Sequence, residues 1–196
     1  MNKLLGNLKE GLLFVISAPA GAGKNTLVDL LEKEFSCVKE TVSCTTRPKR
    51  ENEKDGREYF FMTKEAFQKK IQEDAFVEHK QVLQEHYGTL KSEVKKNQSQ
   101  GKHVICVIDV QGGLQIKKQM EATLIFIQPP SLAVAKQRLE KRNTESSEII
   151  EGRLKLAEEE LKKAPLYDYQ LVNDDLDQAY QVLRSIFIAE ENRNRK

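Results

Sequence analysis

A glycine-rich segment near the N-terminus restricts the fold more than any other part of this sequence. It reads Ser-Ala-Pro-Ala-Gly-Ala-Gly-Lys-Asn-Thr over residues 17–26, between an apolar run at 12–16 and an apolar-striped stretch. Gly21 and Gly23 allow a tight turn in which successive backbone N–H groups point at an anion. A helix starting after them adds the positive end of its dipole, and Lys24 adds a full charge. A strand, this loop and a helix in that order predict a P-loop phosphate site.

The segment departs from the usual P-loop pattern at both ends. Ala18 stands where the first glycine is expected, and Asn25 where a serine or threonine hydroxyl usually ligates Mg²⁺. We expect the Asn25 amide oxygen or the Thr26 hydroxyl to take that place, directly or through water. The alternative is a glycine turn that binds nothing, but the lysine and both flanking elements favour a phosphate site. We assign to it Ala18, Pro19, Ala20, Gly21, Ala22, Gly23, Lys24, Asn25 and Thr26.

Further apolar runs and helical stripes extend this unit into an α/β fold. The runs at 12–16, 104–108, 124–127 and 171–172 are nearly continuous, as in strands buried on both faces of a parallel sheet. Helical stripes lie between them, with Thr63 and either Asp175 or Asp177 as candidate caps. We predict one domain with a parallel-sheet P-loop core (1–42, 90–135 and 159–196) flanked by helices. Two excursions, 43–89 and 136–158, leave this core.

Composition excludes several classes of protein. The 196 residues carry a net charge of +2, which gives no support for nucleic-acid binding. No apolar run reaches the roughly 20 residues of a membrane span, and the short run at 12–16 is a poor signal peptide. Three cysteines with no close pair favour a reducing compartment over a disulfide framework or a zinc cluster, so we expect a cytoplasmic protein.

Asp109 follows the apolar run at 104–108 and is a candidate for the acidic partner of the P-loop. A carboxylate at the carboxyl end of a buried parallel strand, near a P-loop, can hold Mg²⁺ or its waters. The alternative is an aspartate that caps the next helix. We favour the metal role, with Asn25 and Thr26 as the other candidate ligands.

Several further motifs together resemble one known family. They are the arginine-rich stretch at 42–53, Gly-Arg-Glu-Tyr-Phe-Phe at 56–61, Phe-Val-Glu-His at 76–79, Tyr-Gly-Thr at 87–89 and Ile-Asp-Val-Gln-Gly at 108–112. With the P-loop, they make the chain similar to guanylate kinases, of the nucleoside monophosphate kinase group, from about residue 12 to 190. The resemblance implies direct in-line transfer of the γ-phosphoryl group of ATP to GMP, and also to dGMP, with Mg²⁺.

The resemblance also implies roles for individual residues. It puts Arg47, Arg50, Tyr59 and Tyr87 around the GMP phosphate, with Glu53 positioning an arginine, and Ser43, Glu78 and Thr89 near the guanine base, with Asp109 beside GMP. Arginines form bidentate bonds to phosphate, and one carboxylate can accept both N1–H and N2–H₂ of guanine, which adenine cannot offer. In the excursion at 136–158, a mobile lid, Arg142 and Arg153 would reach the ATP phosphates, with Arg138 a weaker candidate. Asn173 would lie on the adenine side, or else cap a helix.

The chain departs from the family pattern at three positions, and two other functions remain open. Asn25 is one departure; Val107 replaces a usual aspartate, and Asn143 a frequent glycine. We still expect an active enzyme with altered Mg²⁺ dependence, as a monomer or homodimer. The alternatives are a non-catalytic module that binds phosphorylated peptides and a kinase for another monophosphate; Lys24 with the lid arginines argues against the first, and Ser43 with Glu78 against the second.

Overall fold

Strand β1, which precedes the glycine-rich loop, lies in the middle of a parallel sheet. The computed structural model of the chain describes residues 3–141 and 146–194. Five strands form this sheet in the order β2-β7-β1-β8-β9, and every pairing is parallel. Their bounds are β1 Leu13–Ser17, β2 Val38–Glu40, β7 His103–Val107, β8 Thr123–Gln128 and β9 Tyr169–Val172. The predicted parallel α/β core is therefore confirmed.

Helices cover both faces of this sheet, which explains why its strands are apolar without interruption. On one face Phe14 and Ile16 of β1 pack with residues of α1 (Lys24–Glu34) and α7 (Leu176–Glu191), and Phe14 stacks on Phe187 with ring centroids 3.7 Å apart. On the other face Leu13 and Val15 belong to a second cluster, formed with α3 and α4. The helices are α1 Lys24–Glu34, α2 Lys64–Gln72, α3 Lys91–Gln98, α4 Val110–Gln119, α5 Leu132–Lys141, α6 Ser147–Leu161 and α7 Leu176–Glu191.

A second sheet occupies the first excursion from the core. It contains β3 Cys44–Thr45, β4 Phe60–Phe61, β5 Phe76–Val82 and β6 Glu85–Leu90, in the order β4-β3-β6-β5. Helix α2 packs on it through Phe67, whose ring stacks on Phe76 at 4.5 Å. Its N-cap is Thr63, as predicted: the hydroxyl accepts the Ala66 N–H at 3.2 Å.

The second excursion, 136–158, contains the second half of α5 and most of α6, and these two helices pack against each other. Residues 142–145, and with them Arg142 and Asn143, lie outside the described residues. Helix α7 begins at the N-cap Asp175, one of the two predicted caps, whose carboxylate accepts the Gln178 N–H at 2.8 Å. Within the described ranges, no helix is long and apolar enough to span a bilayer.

A buried polar cluster ties the N-terminal segment to the end of α7. Glu191 accepts N–H bonds from Gly6 at 2.7 Å and Asn7 at 3.0 Å. His103 Nδ1 accepts the Leu12 N–H, so Nε2 carries the ring proton and donates it to Glu191 at 2.6 Å. Burial opposes ionisation of Glu191, but these donors hold its pKa below the ordinary 4.5.

We predict that Glu191→Gln lowers the free energy of unfolding by about 1 to 3 kcal/mol at neutral pH, the usual cost of disrupting buried hydrogen bonds to a charged group. A depressed carboxyl pKa stabilises the fold above the unfolded-state pKa, and this contribution is lost as pH falls from 4.5 through the folded-state value. The difference between the two proteins should therefore shrink in acid. Urea unfolding at neutral and acidic pH measures it.

The control is Glu73→Gln, which changes an exposed carboxylate at the end of α2 that pairs only loosely with Lys69, at 3.9 Å. It should leave stability nearly unchanged at every pH. A Glu191→Gln deficit that stays constant down to strongly acidic pH would contradict the assignment of this stability to the ionised carboxylate.

Candidate active site

The loop between β1 and α1 has the backbone conformation expected of a phosphate cradle. Gly21 and Gly23 adopt φ values of 81° and 80°, a region that side chains disfavour. A Cβ at Gly21 would lie 2.8 Å from the carbonyl oxygen of Ala135, so this position also requires glycine for space. Gly23 is the N-cap of α1, with no side-chain cap and no acidic residue in the first turn. The helix therefore presents its positive end to the loop without an internal anion.

Lys24, the first residue of α1, is half-buried in a field of mixed charges. Burial lowers the pKa of its ammonium, while the carboxylates of Glu40, Glu160 and Asp109 raise it and Lys80 lowers it further. Glu40 itself is affected: burial, assisted by Glu32, raises its pKa to about 7. Lys24 is thus close to several acids. Asn25 and Thr26 follow it at the exposed start of the helix.

The side chain of Asn173 supports the glycine-rich loop through a hydrogen bond. Its amide donates to the carbonyl oxygen of Ala22 at 2.8 Å, and a Cβ at Gly23 would meet that amide nitrogen at 2.4 Å. Asn173 is almost fully buried, and Asp175 caps α7 instead, so the alternative in which Asn173 caps a helix is wrong. Arg138 donates one guanidinium nitrogen to the Asn173 carbonyl at 3.0 Å. Its other terminal nitrogen is buried, with no hydrogen-bond partner in the described part of the chain.

Asp109 is the N-cap of α4, which is the alternative role considered for it. Its Oδ1 accepts the Gly112 N–H at 2.8 Å, and its Oδ2 pairs with the ammonium of Lys80. Burial opposes ionisation, yet these donors keep the pKa of Asp109 below its ordinary value. Ser17, the last residue of β1, donates its hydroxyl to the Asp109 carbonyl at 3.3 Å. An ionised carboxylate therefore lies beside the end of the strand that leads into the loop.

An Mg²⁺ bound mainly through nucleotide phosphates and water would fit this donor set. Asp109 is ionised, and Asn25 and Thr26 offer an amide and a hydroxyl oxygen; such hard oxygen ligands are those that Mg²⁺ takes. Within the described ranges, no group of three acidic, histidine or cysteine side chains could hold a metal without a nucleotide.

The second sheet brings the predicted phosphate-binding residues Arg47, Tyr59 and Tyr87 together. Both carboxylate oxygens of Glu53 accept hydrogen bonds from the Arg47 guanidinium, at 2.7 and 3.0 Å. Glu53 also accepts the backbone N–H of Arg50 at 2.9 Å. These bonds, from Arg47 first, lower the pKa of Glu53 to about 2. The Arg47 guanidinium carbon lies 5.5 Å from the centre of the Tyr59 ring, which lies 5.9 Å from that of Tyr87. The Arg50 side chain is at the exposed edge of this group.

The predicted base-recognising residues form one hydrogen-bonded chain. Thr89 donates to Glu78 Oε1 at 2.9 Å, and the Ser43 and Thr89 hydroxyl oxygens are 3.3 Å apart. Glu78 is buried, and desolvation raises its pKa to about 6 despite the bond from Thr89. A Cβ at Gly112 would meet Glu78 Oε2 at 3.1 Å, so this carboxylate lies against the start of α4, near Asp109.

Sequence reasoning missed Lys80, Glu40 and Glu160, all of which contribute to the field at Lys24. The sequence contains one signal that could have identified Lys80. It follows Glu78 by two residues, which is the spacing that puts two side chains on one face of a strand. The strand itself was not predicted, so the spacing carried no weight. Of the two arginines predicted for the lid, Arg153 is an exposed residue of α6, and Arg142 is outside the described residues.

A family model, curated relatives and a solved structure to which this chain is similar are all guanylate kinases. The family model for guanylate kinase matches residues 10–190. The guanylate kinase of Protochlamydia amoebophila is 52% identical over 188 residues, covering 96% of this chain and 95% of that protein. That of Caldanaerobacter subterraneus subsp. tengcongensis is 45% identical over 186 residues, covering 94% and 90%.

A solved structure agrees with these sequence matches. The crystal structure of guanylate kinase from Anaplasma phagocytophilum superposes with a TM-score of 0.73 at 28% identity, covering 98% of this chain and 91% of that one. The matches span almost the whole chain and include both sheets and the glycine-rich loop. This chain belongs to the guanylate kinase family.

Proposed function

We propose that this chain transfers the γ-phosphoryl group of ATP to GMP, and to dGMP, giving ADP and the corresponding diphosphate by direct in-line transfer. Its family membership supports the reaction. The observation that supports the acceptor most directly is the hydrogen-bonded chain of Ser43, Thr89 and Glu78, in which the buried Glu78 carboxylate lies against the start of α4 beside Asp109. If Glu78 reads the base, the guanine would be bound close to Asp109, which follows the end of β7.

The donor site consists of the loop amides and Lys24. Successive N–H groups and the uncapped end of α1 would hold the ATP phosphates, and the Lys24 ammonium would bridge the outer ones. Asn173 serves this site by bracing Ala22. The buried, unpartnered nitrogen of Arg138 close to Asn173 supports a place for this arginine near the donor as well. The ATP-binding set is Ala18, Pro19, Ala20, Gly21, Ala22, Gly23, Lys24, Asn25, Thr26 and Asn173.

The acceptor phosphate would be bound by Arg47, Arg50, Tyr59 and Tyr87. Two bonds from Glu53 hold the Arg47 guanidinium in place, so less side-chain entropy would be lost when it binds a phosphate. Two guanidiniums and two phenols suit a dianion. Because the contacts invoked here are to phosphate and base, the sugar contributes little to selection, and dGMP is also an acceptor.

The base would be read by Glu78, with Ser43 and Thr89. Guanine presents N1–H and N2–H₂ side by side, and an ionised carboxylate can accept from both. Adenine would leave the buried Glu78 carboxylate without those donors, and a site built on such bonds can discriminate by about 10⁴-fold.

Phosphoryl transfer then requires alignment and neutralisation of charge rather than a covalent intermediate. When bound, Mg²⁺ supplies positive charge to the donor phosphates; Asp109, Asn25 and Thr26 would hold it or its waters. Arg142 and Arg153, in the lid at 136–158, would complete the charge on the equatorial oxygens and exclude water. The segment 43–89 would bind GMP, and the core at 1–42, 90–135 and 159–196 would carry the donor site.

We expect rapid ADP formation from ATP and Mg²⁺ with GMP as acceptor, and very little with AMP. The reason is the complementarity of Glu78 to guanine and not adenine. A coupled assay for ADP measures both rates, and Lys24→Met, which removes the ammonium that bridges the phosphates, should lower the rate with GMP by at least about 10²-fold. Equal rates with GMP and AMP would contradict the base assignment, and GMP binding without turnover would favour a non-catalytic binding module.

We predict that Glu78→Gln weakens GMP binding by about 10²-fold or more, because the amide N–H₂ would face the guanine donors. The pKa of Glu78 is raised to about 6 and guanine requires its ionised form, so GMP affinity should rise as pH increases through that value. Calorimetric titration of GMP at several pH values measures both effects.

The phosphate of GMP complicates this profile, since its second pKa is also about 6. The Glu78→Gln variant separates the two, because its remaining pH dependence belongs to the phosphate alone. Glu73→Gln, in an exposed position of the same segment, is the matched control and should behave like the unmodified protein. Identical pH profiles in the unmodified protein and Glu78→Gln would overturn the role of Glu78.

A further inference from the structure

Lys80 lies on the acceptor-binding face of the second sheet. It follows Glu78 by two residues in β5, so both side chains are on one face of the strand. In the antiparallel pairing of β5 with β6, Glu78 is opposite Thr89 and Lys80 is opposite Tyr87. Directly opposite residues share a face of the sheet. On this face of the sheet, the pair Glu78 and Thr89, which would recognise the base, is therefore next to the pair Lys80 and Tyr87. Tyr87 belongs to the group that would bind the phosphate.

The Lys80 ammonium also reaches the other side of the site. It pairs with Oδ2 of Asp109, at the carboxyl end of β7 and next to the end of β1. Its charge contributes to the field at Lys24 of the P-loop. The ammonium thus contacts Asp109, beside the end of the strand that leads into the P-loop, while Lys80 itself is opposite Tyr87 of the predicted phosphate-binding group.

Lys80 has donors to spare for a ligand in this position. An ammonium carries three N–H groups, and Asp109 Oδ2 accepts one of them. The Lys80 side chain is 42% exposed, so it is open to the space above the sheet. The residue two before Asp109 is the apolar Val107, so the end of β7 presents the carboxylate of Asp109 and no second one there.

We propose that Lys80 is a phosphate-binding residue of this active site, whose ammonium, held by Asp109, contacts the phosphate of the acceptor nucleotide during binding and transfer. The proposal rests on the proposed function. Lys80 forms no covalent bond; it supplies a positive charge where two polyanions must approach each other. An ion pair with no ligand role is the competing explanation, since exposed pairs of this kind are common on protein surfaces.

The experiment compares Lys80→Met and Lys80→Arg with the unmodified protein. Calorimetry measures GMP affinity, and displacement of GMP measures the affinity for guanosine, which has the same base and sugar but no phosphate. We expect Lys80→Met to weaken GMP binding by about 10- to 100-fold, as for the loss of one charge-assisted bond. Guanosine affinity should change by less than about twofold, since no phosphate contact is involved. Lys80→Arg should retain most of the GMP affinity, because it keeps the positive charge.

A matched control comes from the opposite end of α4. Lys117 pairs with Asp168 at 2.7 Å, and its side chain is 41% exposed, close to the 42% of Lys80. Lys117→Met should leave both affinities and the rate unchanged. Thermal unfolding of each variant checks that the fold is intact.

The outcomes separate the proposal from its rivals. Unchanged GMP affinity in Lys80→Met would overturn it and leave Lys80 as a partner of Asp109 alone. Equal weakening of GMP and guanosine would also overturn it, because Lys80 would then act on the base pocket through Asp109. Failure of the proposed function would look different: the unmodified protein would neither bind GMP nor form ADP with it.

Discussion

The rest of the site depends on the close approach of two neighbouring segments to the backbone of the glycine-rich loop. Ala135 of α5 lies against Gly21 and the Asn173 amide against Gly23, at distances that leave no room for a Cβ. Both glycines have positive φ, so a residue with a side chain at either position would strain the backbone. Its Cβ would also collide with the neighbouring segment. The loop is therefore held in shape by its surroundings before any phosphate binds. Because α5 and the residue after β9 are part of this packing, the glycine-rich loop is continuous with the core.

Carboxylates hold the positively charged side chains near the glycine-rich loop and on the second sheet in position. Glu53 holds Arg47 with two bonds, Asp109 holds Lys80, and several acids surround Lys24. Under the proposed function, a polyanionic substrate would meet positive groups that are already oriented, and it would have only to replace some of their partners.

The two sheets carry different groups of the candidate site. The parallel sheet ends at the loop and at Asp109, and both positions follow from strands that are buried on both faces. The second sheet offers one polar face, on which Glu78 with Thr89 and Lys80 with Tyr87 are consecutive cross-strand pairs. Asp109 connects them, since it caps α4 in the core and pairs with Lys80 of the second sheet. Under the proposed function, this contact between α4 and β5 would set the distance between the donor and the acceptor nucleotide.

Local sequence was sufficient wherever the controlling interactions are local. The four predicted core strands, the caps Thr63 and Asp175 and the glycine requirement of the loop all follow from hydrophobic pattern, capping chemistry and backbone conformation. The guanylate kinase motifs then identified the family, because a set of specific side chains at fixed spacing outweighs any one of them. Motif similarity also named Glu78, Thr89 and Ser43 as a group, and the fold joins them by hydrogen bonds.

Tertiary structure decided what depends on pairing between distant segments. The hairpin of β5 and β6 mixes apolar, charged and histidine residues, so its strands have no clear pattern of their own and form through pairing with each other and with β3. Only that pairing places Lys80 opposite Tyr87 and beside Asp109, 29 residues away in sequence. Asn173 likewise supports the loop across 151 residues rather than capping the helix next to it. Such contacts arise from the register of strands and the packing of helices, which local residue preferences do not specify.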